Sequence, residues 1–261
     1  MDNRPLAIID SGLGGLSIAQ EIWQQLPLES TIYLADHQFF PYGDKTAQQI
    51  NRRLVSILNF LLAQNCKAVV IACNTITTNS INLLRQLHNL PFIGTEPAIK
   101  PAIEANLKEN IIVLSTNATV KSKSFNQLIN QLDKKGKFVL HPCQGLVEDI
   151  ENFASQPAKL EKSIEKHLRK IKDSYSALVL GCTHYILVKN LIKKLVPPHV
   201  LVIEPSLAIA KQTRKVLKKA SLLSTLNPSK KTFLTTGNDQ KASKAASSLL
   251  NQGIIFTRCS L

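Results

Sequence analysis

Aromatic residues are scarce in this 261-residue chain, at 5% with a single tryptophan. Platforms that stack single-stranded nucleic acid interleave aromatic and basic side chains. The basic runs here, 159–172, 189–194 and 211–219, contain no Phe, Tyr or Trp. The five cysteines, Cys66, Cys73, Cys143, Cys182 and Cys259, are odd in number, and no pair has C-x-x-C spacing. That pattern speaks against a disulfide framework and a four-ligand zinc site, so reduced thiols and no metal are expected. Long apolar runs are missing too. The first, Leu6-Ala7-Ile8-Ile9, is too short for a signal core, and no stretch reaches membrane-spanning length. The expectation is a cytoplasmic protein with no membrane partner.

Acidic residues are under-represented. The net charge is +14, and the excess lies wholly in residues 101–261. Solvated helix faces account for this most simply. A second reading is attraction of anions, either small carboxylates or nucleic acid; nucleic acid is not favoured without aromatics.

What the chain does have is alternation. Apolar, β-branched runs at 6–10, 31–35, 68–73, 91–94, 110–115, 137–141, 177–182, 200–203 and 232–235 are separated by helix-like periods, among them 77–88, 121–132 and 186–195. Strands of this kind are buried on both faces and belong to parallel sheets with helices between them. Two segments repeat one message: Ala68-Val69-Val70-Ile71-Ala72-Cys73-Asn74-Thr75 and Ala177-Leu178-Val179-Leu180-Gly181-Cys182-Thr183-His184. Ile112-Val113-Leu114-Ser115-Thr116 likewise echoes Ala7-Ile8-Ile9-Asp10-Ser11. The reading is an α/β fold of two pseudo-symmetric lobes, each a mostly parallel sheet flanked by helices, with the active site between them. Residues 1–97 plus 208–261 form one lobe and 98–207 the other.

Ligands of parallel sheets gather at the carboxyl ends of strands. Asp10-Ser11-Gly12-Leu13-Gly14-Gly15 sits at such an end. Gly12, Gly14 and Ser17 imitate a dinucleotide fingerprint, with Asp36 as the ribose-binding acid. Alternatives are a small-molecule site using Asp10 and Ser11, or a tight turn with Asp10 capping the helix. Pro41-Tyr42-Gly43-Asp44 reads as a turn. Cys73 and Cys182 each precede hydrogen-bonding residues and a helix, whose N-terminus is expected to lower a thiol's pKa. His184 is suited to hold or relay the Cys182 proton. A Cys/His nucleophile needs only one cysteine. A redox pair needs both. Two thiols on opposite faces of a substrate Cα, one base and one acid, also use the whole repeat. Cys66 and Cys259 read as structural. Glu148 and Glu151 read as exposed helix residues, one of which could face the cleft near His184.

Taken in order, Asp10–Gly15, Pro41-Tyr42-Gly43, Ala72-Cys73-Asn74-Thr75, Gly94-Thr95-Glu96-Pro97 and Leu180-Gly181-Cys182-Thr183-His184-Tyr185 resemble the aspartate/glutamate racemase family along essentially the whole chain. The resemblance implies cofactor-independent, two-base interconversion of L- and D-glutamate for peptidoglycan synthesis, with aspartate as the lesser alternative. It implies Cys73 and Cys182 as proton donor/acceptors, facing the D- and L-isomer respectively, assisted by Asp10 and His184. Ser11, Tyr42, Gly43, Asn74, Thr75, Thr116, Thr119 and Thr183 would hold the substrate. Glu151 would support the site from behind. A homodimer is the expected assembly. Gln144, Ile186 and Glu204 depart from the family pattern.

Overall fold

The computed structural model describes residues 1–105, 107–133, 136–225 and 227–261. Its strands are β1 (Leu6–Asp10), β2 (Thr31–Ala35), β3 (Ala68–Ile71), β4 (Phe92–Gly94), β5 (Asn110–Ser115), β6 (Phe138–Pro142), β7 (Tyr175–Leu180), β8 (Leu201–Ile203), β9 (Lys231–Thr235) and β10 (Thr257–Arg258). They form a six-stranded sheet, β10-β9-β2-β1-β3-β4, and a four-stranded sheet, β6-β5-β7-β8. Every pairing is parallel.

The central strands explain their own composition. In β1, Leu6 and Ile8 join one core cluster while Ala7 and Ile9 join another. In β5, Ile112 and Leu114 face one layer, and Ile111 and Val113 the other. With helices on both faces, each position is buried, so the strand reads as continuously apolar. Burying each large aliphatic side chain contributes about 1.5–3 kcal/mol.

Strand order also locates the crevices. In the first sheet β1 pairs β2 on one side and β3 on the other; in the second, β5 pairs β6 and β7 in the same way. Winding therefore reverses between β1 and β3, and between β5 and β7. Such reversals open a crevice at the strands' carboxyl ends. Asp10 and Cys73 lie at the first, and Thr116 and Cys182 at the second. After β8 the chain returns to the first sheet: helix Ser206–Lys219 packs on helix Leu16–Gln25, and β9 pairs β2.

Element edges differ from expectation where polar residues begin helices. A helix predicted to start at 77 starts at Asn74, immediately after Cys73. One predicted from 186 is preceded by the turn Thr183–Leu187, immediately after Cys182. A stretch predicted as one helix over 121–132 breaks at Ser122, whose hydroxyl caps Phe125 N–H. β10, two exposed residues long, has too little apolar pattern to be legible.

Candidate active site

One cleft collects most of the residues singled out above. It is lined by Ser11, Tyr42, Gly43, Cys73, Asn74 and Thr75 from one side, and Thr116, Cys182, Thr183 and His184 from the other. Each thiol sits at the position preceding a helix, and both are 6% exposed. No Lys or Arg is among the described lining residues. An anionic ligand would therefore meet N–H and O–H donors, including the open first turn of helix Asn74–Leu87.

Asp10, Thr119 and Glu151 stand behind the cleft wall. Asp10 Oδ1 accepts from Gly12 N–H (2.9 Å), and Oδ2 accepts from the Thr183 hydroxyl (3.1 Å). Asp10 therefore ties its own turn to the opposite lobe. It does not cap the first helix, which begins at Leu16 after Gly15 with no side-chain cap. Burial raises the Asp10 carboxyl above its ordinary range, against the pull of His184. Thr119 closes a hydroxyl cluster across the cleft: Thr75 Oγ1 lies 2.9 Å from Thr116 Oγ1, which donates to Thr119 Oγ1 at 3.1 Å.

The two thiols differ in their surroundings. Cys73 Sγ lies 3.9 Å from Ser11 Oγ. Burial, and then the Asp10 charge, push the Cys73 thiol well up, while the N–H of Ile76 pulls weakly the other way. The expected lowering by the helix N-terminus is overturned at Cys73, because desolvation of a buried thiolate outweighs one backbone N–H. Cys182 shares the cleft lining with His184, two residues on. Burial would lower His184, but Cys182 and Glu151 hold its ring well above the ordinary histidine range.

Glu151 is no exposed helix residue. Its Oε1 accepts from Leu13 N–H (2.6 Å) and pairs with His184 Nε2 (2.8 Å); its Oε2 pairs with His37 Nε2 (2.9 Å). His37 in turn reaches the Thr235 hydroxyl at 2.7 Å. Burial opposes ionisation of Glu151, yet the two histidines hold its carboxyl far below the usual carboxylate range. His37 escaped the sequence reading because a lone histidine in a loop has no spacing signal. Phe40, tilted against the His184 ring at 5.8 Å between centroids, escaped for the same reason.

The dinucleotide reading fails on geometry. Asp36 is fully buried, taking Tyr42 Oη (2.6 Å), Arg53 Nη2 (2.6 Å) and the Thr236 hydroxyl (2.7 Å), so none of its charge is left for a ribose. A Cβ at Gly12 would strike the Glu151 carboxylate, and one at Gly14 the His184 ring and backbone. These glycines admit the facing lobe rather than a pyrophosphate. Tyr42 lines the cleft, its hydroxyl being committed to Asp36.

Two parallel-sheet lobes, each bringing one thiol to a shared cleft, define a protein of the two-lobed α/β class. More narrowly, the chain belongs to the Asp/Glu/Hydantoin racemase family, which matches residues 15–213. It is 38% identical over 250 residues to the glutamate racemase of Ectopseudomonas mendocina, covering 95% of each chain. Its structure is similar to that of glutamate racemase RacE1 from Bacillus anthracis, with a TM-score of 0.90, 29% identity, and coverage of 100% of this chain and 99% of that one. It is also similar to the Francisella tularensis glutamate racemase solved in complex with D-glutamate, with a TM-score of 0.84, 28% identity, and coverage of 100% and 98%.

Proposed function

We propose that this protein is a glutamate racemase working by two-thiol proton transfer without a cofactor, and that it supplies D-glutamate for peptidoglycan. The observation that carries the reading is the placement of Cys73 and Cys182 at matched strand ends of the two sheets, both lining one cleft. The glutamate racemases it resembles, one of them holding D-glutamate, support the substrate.

With L-glutamate bound, the Cys182 thiolate takes the α-proton. The Cα–H bond breaks, an S–H bond forms, and the electron pair is left on Cα and its carboxylate. The Cys73 thiol then gives its proton to the opposite face. Its S–H bond breaks and the new Cα–H bond has inverted configuration. The enzyme is left with a Cys73 thiolate and a Cys182 thiol, and returns by proton exchange through Asp10 and His184. Burial favours the protonated Cys73 thiol that this order requires, and His184 lines the cleft with Cys182. Backbone N–H groups and the Thr75 hydroxyl, joined by Thr116 and Thr183 once their protons turn from Thr119 and Asp10, would hold the two carboxylates. In so enclosed a site fixed donors stabilise developing charge far more than water does.

The same reading takes residues 1–97 with 208–261 and residues 98–207 as lobes that close on the substrate. It places the enzyme, whose described cysteines are all free thiols, in the cytoplasm as a homodimer. Sedimentation equilibrium tests the assembly. The activity is tested by proton NMR of L-glutamate with purified protein in D2O, with a chiral assay alongside. Loss of the Cα–H signal together with D-glutamate is the expected result. Exchange of aspartate but not glutamate would change the substrate, and no exchange with either would overturn the mechanism.

A further inference from the structure

At the edge of the cleft, three side chains outside the proposed proton-transfer set converge. His141 lies in β6, Cys143 follows that strand, and His167 lies in helix Pro157–Leu168. One ligand atom from each falls within 4.8 Å of the others. Neither histidine lines the cleft, whereas Cys143 and Gln144 do.

The hydrogen bonds show how the rings are set. His167 Nε2 faces the Gln144 carbonyl at 3.2 Å. A carbonyl only accepts, so the ring proton sits on Nε2 and Nδ1 presents a lone pair. His167 is 5% exposed, and its Nδ1 is buried without a hydrogen-bond partner among the described residues. His141 Nε2 is buried and unpartnered in the same way. The two rings meet edge to face, 6.1 Å between centroids and 83° between planes. Cys143 is 2% exposed, its thiol turned toward the His141 carbonyl at 3.7 Å. Buried polar atoms almost always find partners, and leaving one unsatisfied costs about 1–3 kcal/mol. Two orphaned imidazole nitrogens beside a buried thiol therefore call for a common partner.

We infer that His141, Cys143 and His167 form a binding site for a single zinc ion. Two imidazole nitrogens and one thiolate suit this borderline-soft cation, and three protein ligands leave the fourth tetrahedral position to water. The His167 Nε2–carbonyl contact is the outer hydrogen bond by which metal-ligating histidines are oriented. Zinc–ligand bonds of about 2.0–2.3 Å bring tetrahedral ligands to roughly 3.3–3.8 Å from one another, inside the 4.8 Å within which the three atoms already lie. Binding forms one Zn–S and two Zn–N bonds and releases the Cys143 thiol proton to solvent. The ion would pin the end of β6, and with it the Cys143–Gln144 wall of the cleft, to helix Pro157–Leu168. The short spacing His-x-Cys and a histidine more than twenty residues later hid the set from a search for paired C-x-x-C motifs.

The test uses the full chain, reduced and stripped with a chelator, then titrated with Zn2+ against a chromophoric competitor and with Co2+ by absorption. One Zn2+ per chain is expected, with a thiolate-to-cobalt charge-transfer band. His167→Ala should weaken zinc binding more than ~100-fold and remove the band, since changes to outer hydrogen bonds alone cost 10–100-fold. His167→Gln, which keeps an N–H donor for the Gln144 carbonyl, should do the same with an unchanged apo melting temperature. Cys73→Ser should leave binding intact. Zinc binding that survives His167→Gln, or that is lost with Cys73→Ser, would assign the ion to other thiols and overturn the proposal. Failure to bind Zn2+ at micromolar concentration would overturn it as well.

Discussion

Glu151→Gln is the most incisive perturbation of the site. The amide keeps an acceptor for Leu13 N–H but removes the charge that pairs with His184 at 2.8 Å and His37 at 2.9 Å. The effect on His184 is the loss of one buried, charge-assisted hydrogen bond, about 1.5–3 kcal/mol. If the imidazolium stabilises the Cys182 thiolate in the rate-limiting proton transfer, kcat/KM falls roughly 10–150-fold, at tenfold per 1.36 kcal/mol. The pH profile should move with it. Glu151 and Cys182 hold the His184 ring charged above its ordinary range, so removing one of them lowers that range and moves the alkaline limb of kcat/KM to lower pH. Thermodynamics adds an internal check. L- and D-glutamate have equal free energies, so kcat/KM must fall by the same factor in both directions while kcat and KM are free to change separately. The assay is initial-rate chiral chromatography from each isomer across the pH range. An unchanged kcat/KM with an unmoved alkaline limb would refute the role assigned to the Glu151–His184 pair.

Cys73→Ser and Cys182→Ser should each reduce turnover from both isomers by about 10²–10⁴-fold, the usual worth of a general acid or base; full activity in either variant, by the same chromatography, would remove the two-thiol mechanism. Gly14→Ala places a methyl group against the His184 ring and backbone. It should cost about 1–3 kcal/mol in urea unfolding, as overpacking does, together with most of the activity. Lys67 is wholly buried against Glu29 at 2.5 Å and donates to the Asp2 carbonyl; Lys67→Met should destabilise by about 3–5 kcal/mol, because Glu29 is left charged and buried. The stability difference between wild type and Glu151→Gln should depend on pH. The depressed Glu151 carboxyl contributes stability present above the ordinary glutamate range and lost as pH falls through its lowered value. The raised His184 contributes below the ordinary histidine range and loses that contribution as pH rises through its raised value. The gap in melting temperature should therefore be wide at mildly acidic pH and narrow toward both extremes.

The sequence by itself determined the layered α/β architecture and the paired thiols. β1, β5 and β7 are buried on both faces along 6–9, 111–114 and 177–180, which forces runs of Ile, Leu, Val and Ala with no polar interruption. A strand so constrained is legible without coordinates. The thiols were legible because each ends such a strand and the motif occurs twice. What only the tertiary structure decided is how the second lobe meets the first. Gly12 and Gly14 pass for a phosphate loop until Glu151 and His184 are seen packed against them. Glu151 reads as a solvated helix residue until His37 and Leu13, 114 and 138 residues away, close around it. The state of Cys73 was likewise out of reach of local rules: its helix N-terminus argues for a lowered thiol pKa, and burial reverses the sign. Periodicity records which face of a strand is dry. Desolvation and charge pairing depend on groups distant in the chain, so they acquire a sign only once the fold has brought those groups together.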